Sequence, residues 1–462
     1  MTTDGWLLLV CVGAVLTSFL LRAEQRHAVA LDYDDGVYWQ TALALASGDR
    51  PYTDVFHSQP PLFSEMLALP FRLGGGEWAA RLLMLGWATM LVLAAGAIGW
   101  MIGDRRAGLV AGLVVALLPP MQRYCFQFGA DLPGAALAAS ALGAAVWARA
   151  DGSVRRRWWL LVGALLGTAV SMKLIAVVIV PAAVVLAVNR RSLAWMAAGG
   201  ATTITAWLAL LRPAPAEAWQ QVVRYHLDAS DAGPQPVPGG AVAMLAAWIV
   251  PFCLLAGLSL MTTLRCAGTD RRRPVLALLI WAAAGTVFVV LHRPIFEHHL
   301  LFFVVPGAAA IGSAVSLLLG KGERWKALGI ASTAMICVLQ AIVMPVSPAQ
   351  DVRTVLACLR TIPRDTTLLT DDQRLAARAG LRTPPQLADT SWVRITSGHL
   401  QASEIIEAAG SAEAVLLAPP TRARITDADV LTWMEIRFPV RFEADGYRLL
   451  ALDRLAGCPR QS

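Results

Sequence analysis

The chain has 462 residues, of which 56% are apolar and only 15% charged, and its mean hydropathy is +0.56. That leaves too little polar surface for a soluble globule of this size, so the composition defines a membrane protein. The net charge of +7 does not indicate a nucleic-acid binder, because the arginines sit in short clusters between apolar runs and not along one soluble face.

Apolar runs of bilayer-crossing length recur along the chain. The expectation is a polytopic α-helical membrane protein with about eleven transmembrane helices and a small C-terminal extracytoplasmic α/β domain. The runs are Trp6–Leu21, Trp78–Ile102, Ala107–Leu118, Leu132–Ala148, Trp158–Met172, Leu174–Val188, Leu193–Leu211, Ala241–Met261, Val275–Leu291, Leu300–Leu319 and Ala327–Met344. The clusters Arg105-Arg106, Arg155-Arg156-Arg157, Arg190-Arg191, Arg271-Arg272-Arg273 and Lys321/Arg324/Lys326 are taken as cytoplasmic by the positive-inside tendency. Trp158–Val188 carries Arg clusters at both ends and must go out and return, with Lys173 near the bend. Arg22 and Arg26 after the first run favour the opposite orientation and are outweighed by the other clusters. The amino end lacks a basic n-region and an A-x-A site, so no cleaved signal peptide is expected. The reading is a multi-pass protein of the plasma (inner) membrane with a cytoplasmic amino terminus.

The first external loop, within residues 23–77, opens on Leu31-Asp32-Tyr33-Asp34-Asp35-Gly36-Val37-Tyr38. Carboxylates crowded in this way repel one another and need either bulk water or a site that uses their charge. Gly36 to Ser47 has helical spacing and ends at Gly48-Asp49-Arg50-Pro51, which predicts a short interfacial helix with Tyr38, Trp39 and Tyr52 at headgroup level. His57-Ser58-Gln59-Pro60-Pro61 then opens an amphipathic piece, Leu62–Leu73, stopped by Gly74-Gly75-Gly76.

Between the third and fourth runs, Asp131 is placed to cap the next helix, with Pro133 in its first turn, which is compatible with a role in a site. The segment from Arg212 carries Trp219, Arg224, Tyr225, His226 and Asp228 and then Gly233-Pro234-Gln235-Pro236-Val237-Pro238, a helix followed by a flap whose charges are read as solvated.

From Pro345 the apolar density falls. Short apolar runs (Thr367–Leu369, Ala414–Leu417, Tyr447–Leu452) alternate with helical stretches (Asp351–Ile362, Gln373–Ala379, Ser403–Ala409, Asp427–Arg437), an α/β pattern enough for one domain over 346–462, after a membrane region over 1–345. Of seven cysteines, none in C-x-x-C or Cys/His spacing, Cys358 and Cys458 lie near the two ends of this domain; a disulfide and two free thiols both fit.

On this topology carboxylates (Asp34, Asp35, Asp131) and cations (Lys173, Arg293, His298, His299) gather on one face. Transfer of a sugar from a lipid phosphate needs both kinds of group: a base for the acceptor hydroxyl and cations for the departing phosphate. Phosphate leaves readily, so no general acid is required, unlike in the hydrolases that use two carboxyl groups.

Asp34-Asp35-Gly36-Val37-Tyr38, followed by Gly48-x-x-Pro51-Tyr52-x-Asp54 and Gln59-Pro60-Pro61-Leu62, resembles the GT-C membrane glycosyltransferases of the protein O-mannosyltransferase and lipid A aminoarabinose transferase kind. The resemblance implies an inverting transferase that uses a polyprenyl-phosphate sugar and a lipid, glycan or protein acceptor. It implies Asp34 as base, with Asp35 the second catalytic carboxylate. Asp131 is similar to a second acidic position of the family, and Lys173, Arg293, His298 and His299 are expected at the donor phosphate. Tyr38, Tyr52, His57 and Gln59, with Asp131, are expected at the donor or acceptor sugar. Asp35 stands where Glu is commoner, and Gln59 where aminoarabinose transferases carry Lys. No cofactor is signalled, although Asp34, Asp131 and a histidine leave a divalent metal open.

The bland readings are a solvated loop capped by Asp34 and Asp35, a snorkelling Lys173 and headgroup-level histidines. The alternative class is a transporter or flippase of a lipid-linked sugar. That class more typically shows internal repeats and mid-membrane charges, which this sequence lacks.

Overall fold

A computed structural model describes residues 3–24, 33–150, 156–211, 214–231, 239–266, 268–292, 296–319, 352–452 and 458. Helices occupy the expected apolar runs as far as Leu319, and Ala327–Met344 lies outside the described residues. In chain order they are α1 (Thr3–Glu24), α2 (Tyr33–Ala46), α3 (Leu62–Arg72), α4 (Gly76–Ile102), α5 (Arg105–Leu117), α6 (Pro119–Tyr124), α7 (Asp131–Ala150) and α8 (Arg156–Met172). Then follow α9 (Val180–Leu186), α10 (Arg190–Leu211), α11 (Pro215–Trp219), α12 (Tyr225–Asp231), α13 (Gly239–Cys266), α14 (Thr269–Leu291) and α15 (Leu301–Leu319). Among the described residues, five helical stretches are long and apolar enough to cross a membrane: Gly76–Ile102, Asp131–Ala150, Arg190–Leu211, Arg271–Leu291 and Glu297–Leu317.

The short elements have local causes. α2 starts with Asp34 and Asp35 in its first turn, where carboxylates meet the positive end of the helix dipole, and it ends before Gly48, whose φ of +103° only glycine adopts cheaply. Leu174–Val188 is not one helix. Lys173 is extended, a 3₁₀ turn covers Leu174–Ile179, and α9 restarts with Pro181 in its first turn, where the missing N–H costs nothing. α8 and α10 pack backbone to backbone: a Cβ on Gly163 would lie 1.9 Å from the Met196 carbonyl oxygen. Small residues serve this purpose where the lipid supplies no hydrophobic drive for helix association.

Residues 352–452 form a four-stranded sheet of order β1-β2-β4-β3, with β1 (Leu368–Thr370), β2 (Ala414–Leu417), β3 (Val440–Ala444) and β4 (Tyr447–Ala451). β1 and β2 are parallel, and the other pairs are antiparallel. Helices α16 (Arg353–Leu359), α17 (Gln373–Ala379), α18 (Trp392–Thr396), α19 (Ala402–Ala409) and α20 (Ala428–Arg437) accompany it. Separate apolar clusters cover the two faces, which explains why β1 and β2 are buried at every position. β3 was not among the expected strands; its signal is Asp445-Gly446, with φ of 55° and 80°, the tight hairpin turn that joins it to β4. Cys358 and Cys458 form a disulfide, which decides between the two readings left open.

α2 lies between the membrane helices and this C-terminal sheet region. It packs on α3 on one side and on α17 on the other.

Candidate active site

Asp34, on the first turn of α2, is 40% exposed and lines a cavity of about 260 Å³. The same cavity is lined by Tyr38, His57, Gln59, Lys173, His298 and His299. Lys173 is placed by the break between α8 and the 3₁₀ turn, and His298 and His299 by a second 3₁₀ turn, Glu297–Leu300. That turn is tied to α6 by the Arg123–Glu297 ion pair. Lys173 Nζ lies 3.2 Å from Asp131 Oδ2, and His298 Nε2 is 3.8 Å from Asp34 Oδ2 and 3.9 Å from Asp131 Oδ2. Two carboxylates, an ammonium and an imidazole from four distant stretches therefore meet at one place.

Asp131 does not cap α7. It is a buried residue of the first turn whose Oδ2 holds Lys173 and whose Oδ1 accepts no hydrogen bond. It faces a chamber of about 10 Å³ that Asp34, Gln127 and His298 also line.

Gln59 organises the histidines. Its backbone N–H donates to His57 Nδ1 (3.1 Å) and its side-chain amide to His226 Nε2 (3.2 Å). His57 therefore carries its proton on Nε2, facing Ser64 Oγ, and His226 carries its proton on Nδ1, which donates to the Val222 carbonyl (2.9 Å). Burial first, and then the nearby Lys173 charge, push both imidazoles down to about 4.

Tyr52 does not line the cavity. It takes a left-handed φ of 69°, and its hydroxyl donates to the Gln59 carbonyl at 2.8 Å, so it supports the loop from behind. Such backbone strain in a non-glycine residue persists only where the surroundings enforce it. Gln221 does so, donating to the Tyr52 carbonyl at 2.7 Å.

Asp35 points away from Asp34 and lines neither chamber. It is fully buried, forms a bidentate pair with Arg81 and accepts from the Phe128 N–H at 2.7 Å. Arg374 Nε lies 3.3 Å from its other oxygen. Successive helical residues diverge by about 100°, so two adjacent aspartates cannot share one face. The placement is that of a structural ion pair, not of a residue that meets a substrate. Arg293 lies outside the described residues.

Asp131, His298 and His299 each present a ligand atom within 4.8 Å of the others, a donor set of transition-metal composition. Lys173 Nζ lies 3.2 Å from Asp131 Oδ2, so an ion placed there would share that carboxylate with the ammonium.

Several lining residues go beyond the sequence expectation. His226 lies in a segment whose composition reads as solvated. Asp389, Ser391, Trp392 and Arg424 come from the C-terminal region, and nothing in their local sequence marks them. Arg81, fully buried under Trp39, Phe126 and Phe128, did carry a signal, as a charge inside the apolar run Trp78–Ile102.

The class is indicated first by residues 58–219, which match the family model of the dolichyl-phosphate-mannose-protein mannosyltransferases. The particular likenesses are to solved structures. The crystal structure of ArnT from Cupriavidus metallidurans bound to undecaprenyl phosphate is 16% identical, with a TM-score of 0.68 over 99% of this chain and 100% of that one. The apo form of the same protein is 15% identical, with a TM-score of 0.70 over the whole of both chains. The oligosaccharyltransferase of Archaeoglobus fulgidus is 12% identical, with a TM-score of 0.59 over 90% of this chain and 69% of that one. No curated protein matches the sequence. The chain thus has the fold of the GT-C membrane glycosyltransferases, and in residues 58–219 the sequence pattern of a mannosyltransferase family.

Proposed function

We propose that the chain is an inverting glycosyltransferase that moves a sugar from a polyprenyl-phosphate donor to an acceptor hydroxyl at the outer face of the membrane. The observation that carries this reading is that Asp34 opens onto the same cavity as Lys173, His298 and His299. The undecaprenyl phosphate bound to ArnT supports a lipid phosphate as the donor's leaving group.

Asp34 accepts the proton of the acceptor hydroxyl as that oxygen attacks the anomeric carbon. The bond from that carbon to the phosphate oxygen breaks, and its electron pair leaves with the polyprenyl phosphate. Attack opposite the leaving group inverts the anomeric centre. Lys173, held by Asp131, supplies a fixed positive charge for the phosphate, and a preorganised charge of this kind is worth more in a dry cavity than in water. Burial and the Lys173 charge favour the neutral forms of His57 and His226, and Gln59 orients both rings as hydrogen-bonding walls.

Asp34→Asn tests the assignment. Sugar transfer in membranes supplied with labelled polyprenyl-phosphate sugar is expected to fall by at least about 10²-fold, with expression and donor binding retained. Turnover at the wild-type rate removes Asp34 from the role of base.

A further inference from the structure

α2 carries Asp34 and is held by the C-terminal region through polar side chains. Gln40 Nε2 donates to the carbonyls of Gln373 (3.2 Å) and Leu381 (3.1 Å), and its Oε1 accepts from the Thr383 N–H (3.2 Å). The Tyr33 hydroxyl accepts from the Thr390 N–H at 2.8 Å. Arg374, 8% exposed, reaches Asp35, which Arg81 grips from α4. At Gly36 the two elements touch: a Cβ there would lie 2.4 Å from the Arg374 backbone nitrogen, which no side-chain rotation relieves. α17 is thus seated on α2 at the turn that carries the two aspartates.

We infer that Arg374 is a positioning residue for Asp34: docked through Gly36 and Asp35, α17 fixes the rotation of α2, and with it the direction in which the base points. The inference rests on Asp34 being the base. Held by the bidentate Arg81 pair and by the Arg374 charge 3.3 Å away, Asp35 locks the first turn, and Asp34, one residue earlier, is turned towards the cavity. A base misplaced by a fraction of an ångström loses much of its effect although its chemistry is intact.

The test uses the full chain in native membranes with labelled polyprenyl-phosphate mannose, or another labelled polyprenyl-phosphate sugar that the wild type turns over. Arg374→Ala and Gly36→Ala are expected to lower kcat by about tenfold or more while the donor KM stays within about twofold. Arg374→Lys, which keeps the charge at Asp35, is expected to recover part of the loss. Hydrogen exchange on the purified chain is expected to show the Thr383 amide deprotected in Gln40→Leu, with kcat lowered in that variant too.

A wild-type kcat in Arg374→Ala, or in a Gln40→Leu chain whose Thr383 amide has become exposed, overturns the inference while leaving Asp34 as the base. A parallel loss of kcat and donor affinity also overturns it, as the sign of general misfolding. Full activity in Asp34→Asn, or a wild type that turns over none of these donors, removes both readings together.

Discussion

Gln59 donates a hydrogen bond to each of two imidazoles, and a protonated ring has no lone pair left to accept one. Acid therefore works against the loop that lines the cavity. The folded-state pKa of His57 is lowered from 6.5 to about 4, so between these values the unfolded chain binds more protons than the folded one. Its contribution to stability is complete above about pH 6.5 and is lost as the pH falls towards 4. We predict that thermal unfolding of the purified chain in detergent shifts to lower temperature across that window, and that His57→Gln reduces the shift, leaving the part that His226 contributes. An unchanged pH profile in that variant would show that His57 does not titrate there.

At the scale of elements, the Asp35–Arg81 pair links α2 to α4, while the Phe126 carbonyl and Phe128 N–H join it to the loop before α7. The guanidinium centre lies 3.6 Å from the Phe128 ring centroid. Both partners are fully buried, so removing Arg81 leaves Asp35 in the interior with only Arg374, 3.3 Å away, to offset its charge. Arg81→Met is expected to destabilise the chain by about 3–5 kcal/mol, measured as a fall in denaturation midpoint, whereas Arg81→Met combined with Asp35→Leu recovers much of it. If the single and double variants are equally unstable, the pair is not what joins these elements. The broken segment after α8 has a comparable use. A continuous helix would carry Lys173 along an unbroken i to i+4 ladder, and the extended residue there instead turns its ammonium to Asp131.

At the scale of the whole molecule, the cavity is a joint product of the membrane helices and the C-terminal region. Arg394 shows how firmly the second is attached. Buried, it donates to the carbonyls of Gln386, Asp389 and His399, and its guanidinium stacks 3.8 Å from the Phe56 ring centroid in the first loop. The Cys358–Cys458 disulfide closes this region across a sequence separation of 100 residues. Replacing both cysteines by serine is expected to lower its stability by about 2–4 kcal/mol, read from urea unfolding under non-reducing conditions. For sidedness, Thr426→Cys is an exposed position and is expected to react with a membrane-impermeant thiol reagent in intact cells. Protection there until lysis would overturn the outward orientation.

The positions of the helices were legible in the chain because their causes are local: apolar runs, dipole-favoured acids at Asp34 and Asp35, and a glycine at 48 that no other residue replaces cheaply. The loop motif likewise marked Asp34, His57 and Gln59, and the basic and acidic side chains of later hairpins pointed to Lys173, Asp131 and His298. What only the tertiary structure decided is which aspartate faces the cavity, that Arg81 and Arg374 claim the other, and that Gln40 meets the Gln373 carbonyl, a partner 333 residues away. A run of residues sets the period of a helix, but its rotation is set by whichever distant groups satisfy the charges it buries, and those partners are chosen by desolvation energies that no local stretch contains.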